Sequence, residues 1–260
     1  MKFRRLFIVC LTALALGLTI GSCKKNVHYP ANPLTNYFIG LQVGKYITYR
    51  MDSLSFYFYG QNDTITSYLA KDSVEKQTVD NTGATVWLVT RYLSDTTGSF
   101  WTPSETYVVS PSAPAIDVTE NNLRFVKLAF PMDEGFSWTG NTFLPYAPYQ
   151  DLFLYSDYNN LTLSGWNYLY TQVNQPFTVA NGTSFDSATT VLQIADSSNV
   201  PVANTNEFAS VTYWSETFAK HVGMIYRHTE MWEYQPPTPD GTQQGYKIGF
   251  ALTMSIIDHN

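Results

Sequence analysis

Residues 65–93 read ITSYLAKDSVEKQTVDNTGATVWLVTRYL. Ile65–Val79 and Thr85–Leu93 are rich in β-branched and aromatic residues with a period of two. They flank Asp80-Asn81-Thr82-Gly83, a four-residue turn with glycine where a positive φ is needed. That is a β-hairpin, and Asp95-Thr96-Thr97-Gly98 repeats the device one strand later. Working outward, Tyr46–Met51 precedes the hairpin. Glu105–Ser110, Leu123–Phe130, Trp166–Val173, Ala188–Ala195, Val211–Phe218, Met224–Tyr234 and Tyr246–Ile257 follow it as further strands. Outside the N-terminal segment no stretch holds helical periodicity beyond two turns, and Val211, Tyr213, Trp214 and Thr217 favour a strand where Phe208–Lys220 could be drawn as a helix. The pattern predicts an all-β fold: a strongly curved antiparallel sheet, or an incomplete or closed β-barrel, of about ten strands with at most one short helix. Asp133–Tyr158, rich in Gly, Pro and Tyr, joins the two halves. Neither half has enough strands to close a barrel alone, so residues 37–260 read as one domain.

The first residues carry an address. Lys2, Arg4 and Arg5 precede an apolar run from Leu6 to Ile20, shorter than the about 20 residues a spanning helix needs. The run ends in Ile20-Gly21-Ser22-Cys23, which resembles the lipobox of bacterial lipoproteins: an aliphatic residue, two small ones and the cysteine that accepts a diacylglyceryl group. Residues 1–22 thus read as a signal peptide cleaved between Ser22 and Cys23. Fatty chains on Cys23, palmitate among them, would give stable attachment where one chain is marginal. Residues 23–36 read as the lipidated N-terminus and a polar, proline-containing tether. No Asp follows Cys23, which favours the outer membrane and leaves the periplasmic face and the cell surface both open.

Composition narrows the partners. Of 260 residues only 14% are charged, against about 25% in an ordinary soluble domain, while 16% are aromatic. The formal net charge is −6; losing the three basic residues of the signal leaves 12 basic against 21 acidic side chains and a charge of −9. That acidity argues against a nucleic-acid partner. Cys10 goes with the signal and Cys23 with the lipid, so the mature chain has neither thiol catalysis nor a disulfide.

Four motifs in order carry a resemblance. They are Gly44-Lys45-Tyr46-Ile47-Thr48-Tyr49; Phe130-Pro131-Met132-Asp133-Glu134-Gly135-Phe136-Ser137-Trp138; Phe177-Thr178-Val179-Ala180-Asn181-Gly182-Thr183-Ser184-Phe185-Asp186; and the hairpin from Tyr213 to Tyr226. Together they resemble an uncharacterised family of Gram-negative extracytoplasmic lipoproteins with a "Y-A-K-G-V-G-L-V"-type hairpin. The likeness implies a secreted, strongly curved antiparallel sheet similar to lipoprotein-carrier half-barrels, and brings no catalytic residues with it. Ser184 is an insertion relative to the third motif, and His221 stands where the fourth has a turn glycine.

The search for chemistry yields few candidates. Gly135-Phe136-Ser137-Trp138-Thr139-Gly140 is one residue too long for a nucleophile elbow and lacks the strand–turn–helix context, and no phosphate loop or dinucleotide fingerprint is present. His228 and Glu230 share a strand face with His221 just before them, yet the odd spacing of the two histidines places them on opposite sides unless the turn redirects one. Asp133-Glu134, and Asp117 with Glu120, lack the Asp-x-Asp-x-Asp-Gly spacing of a calcium loop. No metal and no cofactor is expected.

Trp166, Tyr168 and Tyr170 fall on one strand face, and Tyr57 with Tyr59 and Trp232 with Tyr234 repeat the pattern. Such ladders stack on sugars if they face water, line an apolar pocket if they face a hollow barrel, or fill the core of the sheet. Four Asp-Ser/Thr-aliphatic triplets, with acceptors at Ser53, Thr64, Ser73 and Ser187, resemble a bacterial periplasmic O-glycosylation signal, where about one is expected by chance; Asp and Ser/Thr also cluster at strand ends and turns. The expectation is a non-enzymatic envelope lipoprotein with a binding or structural role, whose membrane partner is reached through the anchor and whose ligand or protein partner is open. The alternatives are a lipocalin-like carrier of an apolar ligand and a glycan-binding or glycan-processing protein.

Overall fold

The structure is a computed structural model that describes residues 34–145 and 165–260. The signal segment, Ser22, Cys23 and the tether up to residue 33 lie outside the described residues, as does the 146–158 portion of the Gly/Pro/Tyr-rich stretch. A 3₁₀ turn, Leu34–Tyr37, opens the fold, so Leu34–Asn36 belong to the folded body and not to the tether.

Twelve strands follow: β1 Tyr46–Tyr57, β2 Asn62–Val79, β3 Thr85–Ser94, β4 Thr102–Pro111, β5 Ala115–Glu120, β6 Leu123–Ala129, β7 Ser137–Thr139, β8 Asn167–Thr178, β9 Ser184–Ser198, β10 Ala209–Ala219, β11 Gly223–Gln235 and β12 Tyr246–His259. All pairings are antiparallel and lie in one sheet with the order β6-β5-β4-β3-β2-β1-β12-β11-β10-β9-β8-β7. The first and last strands therefore meet in the middle, with Met51 opposite Met254. The expected all-β, strongly curved architecture holds, with two strands more than about ten. β5 and β7 carry weak alternation because one has six residues and the other three.

The edges β6 and β7 face each other, and side chains complete what the ladder leaves open. The Val126 N–H donates to the Gly140 carbonyl (2.8 Å), and the Trp138 indole N–H donates to the Val126 carbonyl (2.8 Å). The Tyr170 hydroxyl accepts from the Ala129 N–H (2.9 Å) and donates to the Ala129 carbonyl (2.8 Å). The sheet is thereby nearly closed into a barrel, and its edges are covered rather than left as templates for pairing.

Inside, large side chains fill the lumen; Tyr37, Tyr49, Tyr168, Tyr170 and Phe218 are among those fully buried. Following the antiparallel strands, one end of the barrel gathers the 3₁₀ turn and the β2–β3, β8–β9 and β10–β11 turns. The other end carries the β1–β2, β3–β4, β9–β10 and β11–β12 loops. The first end is plugged by Leu34, Tyr37, Phe38 and Ile39, with the Phe38 and Phe218 rings 5.8 Å apart. The His221 N–H donates to the Asn36 carbonyl, and a Cβ on Gly223 would stand 2.5 Å from the Ile39 nitrogen. His221 sits at φ 66°, so the turn keeps a left-handed residue where the resembled motif has glycine.

Candidate functional site

The strand alternation that builds the core also carries charges into it. Asp72 follows Ala70 and precedes Val74 on the inward face of β2, and Arg91 holds the same phase between Val89 and Leu93 on β3. Directly paired across the two strands, they form a fork: Arg91 Nε donates to Asp72 Oδ1 (2.7 Å) and Nη2 to Oδ2 (2.8 Å). Arg91 Nη1 reaches Glu105 of β4 (2.7 Å) and Glu120 of β5 (3.2 Å). On the facing wall Glu216 of β10 accepts from Lys127 of β6 (2.7 Å) and Arg227 of β11 (2.8 Å), and Arg227 lies 3.8 Å from Glu120. Tyr107 adds a hydroxyl bond to Asp72 (3.1 Å).

Four carboxylates and three cations thus share one desolvated network. Burial pushes the Glu120 carboxyl up, but the Arg227 and Arg91 guanidinium groups outweigh it and hold its pKa down to about 2. Glu216 is likewise lowered: burial acts upward, and Lys127 with Arg227 acts downward more strongly. Glu105 ends up raised, by burial first and by the neighbouring Glu120 charge second. Burial lowers Lys127 against the pull of Glu216.

The void at this network measures about 30 Å³, enough for a water molecule, against the roughly 300–1,000 Å³ of ordinary ligand sites. A lipocalin-like carrier needs a large apolar hollow. Among the described residues the void at this network is a small one, lined by apolar and charged side chains together. Glu105 and Glu120 do converge, as the carboxylates of a glycoside hydrolase must, but on a shared guanidinium and in a space with no room for a sugar ring.

The aromatic ladder at Trp166, Tyr168 and Tyr170 is turned away from water. Tyr168 and Tyr170 are fully buried and Trp166 is buried. The Tyr168 hydroxyl donates to Asn141 Oδ1 (2.6 Å), Tyr170 bonds Ala129, and the Trp166 ring meets Trp214 edge-on at 5.4 Å. A Cβ on Gly140 would lie 2.4 Å from the Tyr168 ring, so this glycine of the rejected serine motif serves packing, and Ser137 itself is an exposed residue of β7. Of the other ladders, Trp232 is buried, whereas Tyr57 and Tyr59 are exposed beside the β1–β2 turn.

His228 and Glu230 do come together on β11 (3.5 Å), with His228 Nδ1 3.0 Å from Thr253 Oγ1; His221 sits apart in the β10–β11 turn. Asp117 pairs with Arg124, and Glu120 is engaged by the two arginines. Among the described residues no group of three or more His, Cys, Asp and Glu is placed to hold a metal ion. Thr64 is exposed on β2. Ser53 and Ser73 are half-buried on β1 and β2, and half-buried Ser187 donates to Asn174 Oδ1 (3.1 Å).

The interior network escaped the sequence reading, although a signal for it existed. Asp72, Arg91, Lys127 and Glu216 each sit in the apolar phase of a strand, a place where charges occur only when paired.

No family model and no curated relative matches this chain. Among solved structures it is similar to a Bacteroides fragilis protein described as exported and of YmcC-like fold, at 11% identity and a TM-score of 0.38, covering 84% of this chain and 97% of that one. It is also similar to a protein of Parabacteroides distasonis described as a lipoprotein, at 9% identity and a TM-score of 0.36, covering 86% and 98%. At these scores function has to be read from this chain's own residues.

Proposed function

We propose that this protein is an envelope lipoprotein, held by acyl chains on Cys23 at the outer membrane, with a non-enzymatic binding or structural role. The observation that carries the reading is the position of the chain's entry: Leu34–Ile39 plugs one end of the barrel. Ten residues separate Cys23 from Leu34, a span of about 40 Å at most. The plugged end is then the bilayer-facing end, and the long loops are offered outward, about 40 Å further along the twelve residues of β1. An interior filled by side chains and ion pairs suits a rigid stand for those loops.

Cell fractionation tests the reading. The wild-type protein is expected to sediment with the outer membrane and to enter the detergent phase. A Cys23→Ser variant is expected in the soluble fraction or retained with its uncleaved signal. Equal outer-membrane recovery of both proteins, each with a cleaved signal, would overturn it.

A further inference from the structure

At the tether-distal end β2 outruns its neighbour. β3 stops at Ser94, opposite Leu69, so Asn62–Tyr68 has β1 along one side and no strand along the other. The stretch stands about 23 Å beyond β3. Val74 bonds toward β1, its N–H to the Lys45 carbonyl (2.8 Å) and its carbonyl from the Gly44 N–H (2.8 Å). Counting back from it in twos puts the N–H and carbonyl groups of Asp63, Ile65 and Ser67 on the open side. Among the described residues no main-chain group bonds to them there. We infer that this edge takes up an extended segment of a partner polypeptide as an added strand, and that the segment carries a basic and an apolar side chain two positions apart. The inference names a partner for the binding role proposed above and rests on that reading.

Proteins ordinarily blunt an open edge with covering side chains, charges or proline. The outer strands β6 and β7 are covered by Trp138 and Tyr170. In β4, Thr102–Tyr107 has no β5 partner and holds Pro103 and Glu105. Asn62–Tyr68 holds neither proline nor lysine, and Thr64, Ile65 and Thr66 at its centre are β-branched residues suited to pairing. The rest of the hairpin is fixed in place. The Lys247 N–H donates to the Gly60 carbonyl (2.7 Å), and a Cβ on Gly60 would stand 2.2 Å from the Lys247 carbonyl oxygen, so the tip is held tight against β12. At the foot of the stretch the Lys71 ammonium lies 4.7 Å from the Trp101 ring of the β3–β4 loop.

The outer face of the edge sets the pattern of the segment. Ile65 is 66% exposed and lies opposite Leu54 of β1, so an apolar side chain across from it would continue that row. Two residues away stands Asp63, exposed and the one charge of the stretch, in a chain of net charge −6. It attracts a basic side chain on the added strand and repels an acidic one. Ser67, third on that face, has its hydroxyl engaged by Asp52, which leaves its main chain to pair. The anchor favours a foreign strand over a second copy. Copies held alike in one membrane run these strands in the same direction, whereas like edges pair antiparallel.

The test uses the full processed protein in detergent and a fluorescent heptapeptide, Thr-Lys-Thr-Val-Thr-Lys-Thr, whose pattern reads the same in either direction. Saturable binding by anisotropy is expected, about tenfold weaker with Glu in place of Lys and lost when alternate peptide amides are N-methylated. Ile65→Pro removes an N–H from the open side only and should abolish binding, while Asp63→Lys should reverse the preference between the Lys and Glu peptides. Phe100→Ala, which removes an exposed ring from a different loop, should change neither. Circular dichroism confirms that each variant is folded. The Asp63, Ile65 and Ser67 amides should exchange fast in the free protein and slowly with peptide bound. Absence of binding overturns the inference, as does binding indifferent to the Lys/Glu exchange or to Ile65→Pro. Slow exchange at those three amides before peptide is added would show the edge already covered and overturn it too. Self-association of the free protein abolished by Ile65→Pro would also overturn it and assign the edge to a second copy. Acylation plays no part in these titrations, so their failure leaves the anchor standing, and a failed anchor leaves them valid.

Discussion

Glu120 reaches two guanidinium groups from the end of a six-residue strand, and the barrel's response to acid follows from that contact. Its pKa is about 2 in the folded chain against an ordinary value of 4.5. A carboxyl depressed by folding adds stability above its unfolded pKa and loses it as pH falls through the folded value. The loss should amount to about 3 kcal/mol between roughly pH 5 and pH 2. Glu105, raised in the same network, contributes in the opposite sense and blunts the loss. Urea midpoints measured from pH 7 to pH 2.5 should therefore fall with acid, and Glu120→Gln should be weaker at pH 7 and show a flatter profile. A midpoint independent of pH would count against the network. Asp72 and Arg91 were legible as strand residues; their pairing was not, because it depends on a register that brings β2 and β3 into line across a bulge at Val74 and Lys76.

Ten of the strands stand out in the sequence because period-two alternation and Asp/Gly turns survive in them, as in Ile65–Leu93. Their ends run further than alternation indicates. Asn62-Asp63-Thr64, for example, extend β2 because each residue has a partner on β1 (Tyr57, Phe56 and Ser55), and pairing overrides propensity. The seam between β6 and β8 was not legible at all, since it depends on a side chain replacing a strand. Tyr170→Phe removes both bonds to Ala129 and leaves a buried N–H and carbonyl unsatisfied. A loss of about 1–3 kcal/mol is expected, with faster amide exchange at Ala129 and little change along β1 and β12. Equal exchange at Ala129 in the two proteins would show that the hydroxyl does not hold the seam.

At the scale of the molecule, the arrangement joins an end plugged by Leu34–Ile39 to an end bearing the longer loops, through a nearly closed barrel built around ion pairs. The curved all-β body was readable because it follows from alternation and turn chemistry, which are local. The aromatic ladders were ambiguous because period two says which residues share a face but not which face is wet; burial of Tyr168 and Tyr170 decides it. The proposed address at Cys23 is local again, and the proposed orientation depends on it. Metabolic labelling with a clickable palmitate analogue tests it most directly. Wild-type protein should take up label and a Cys23→Ser variant should not; equal labelling of the two, or none in either, would contradict the account.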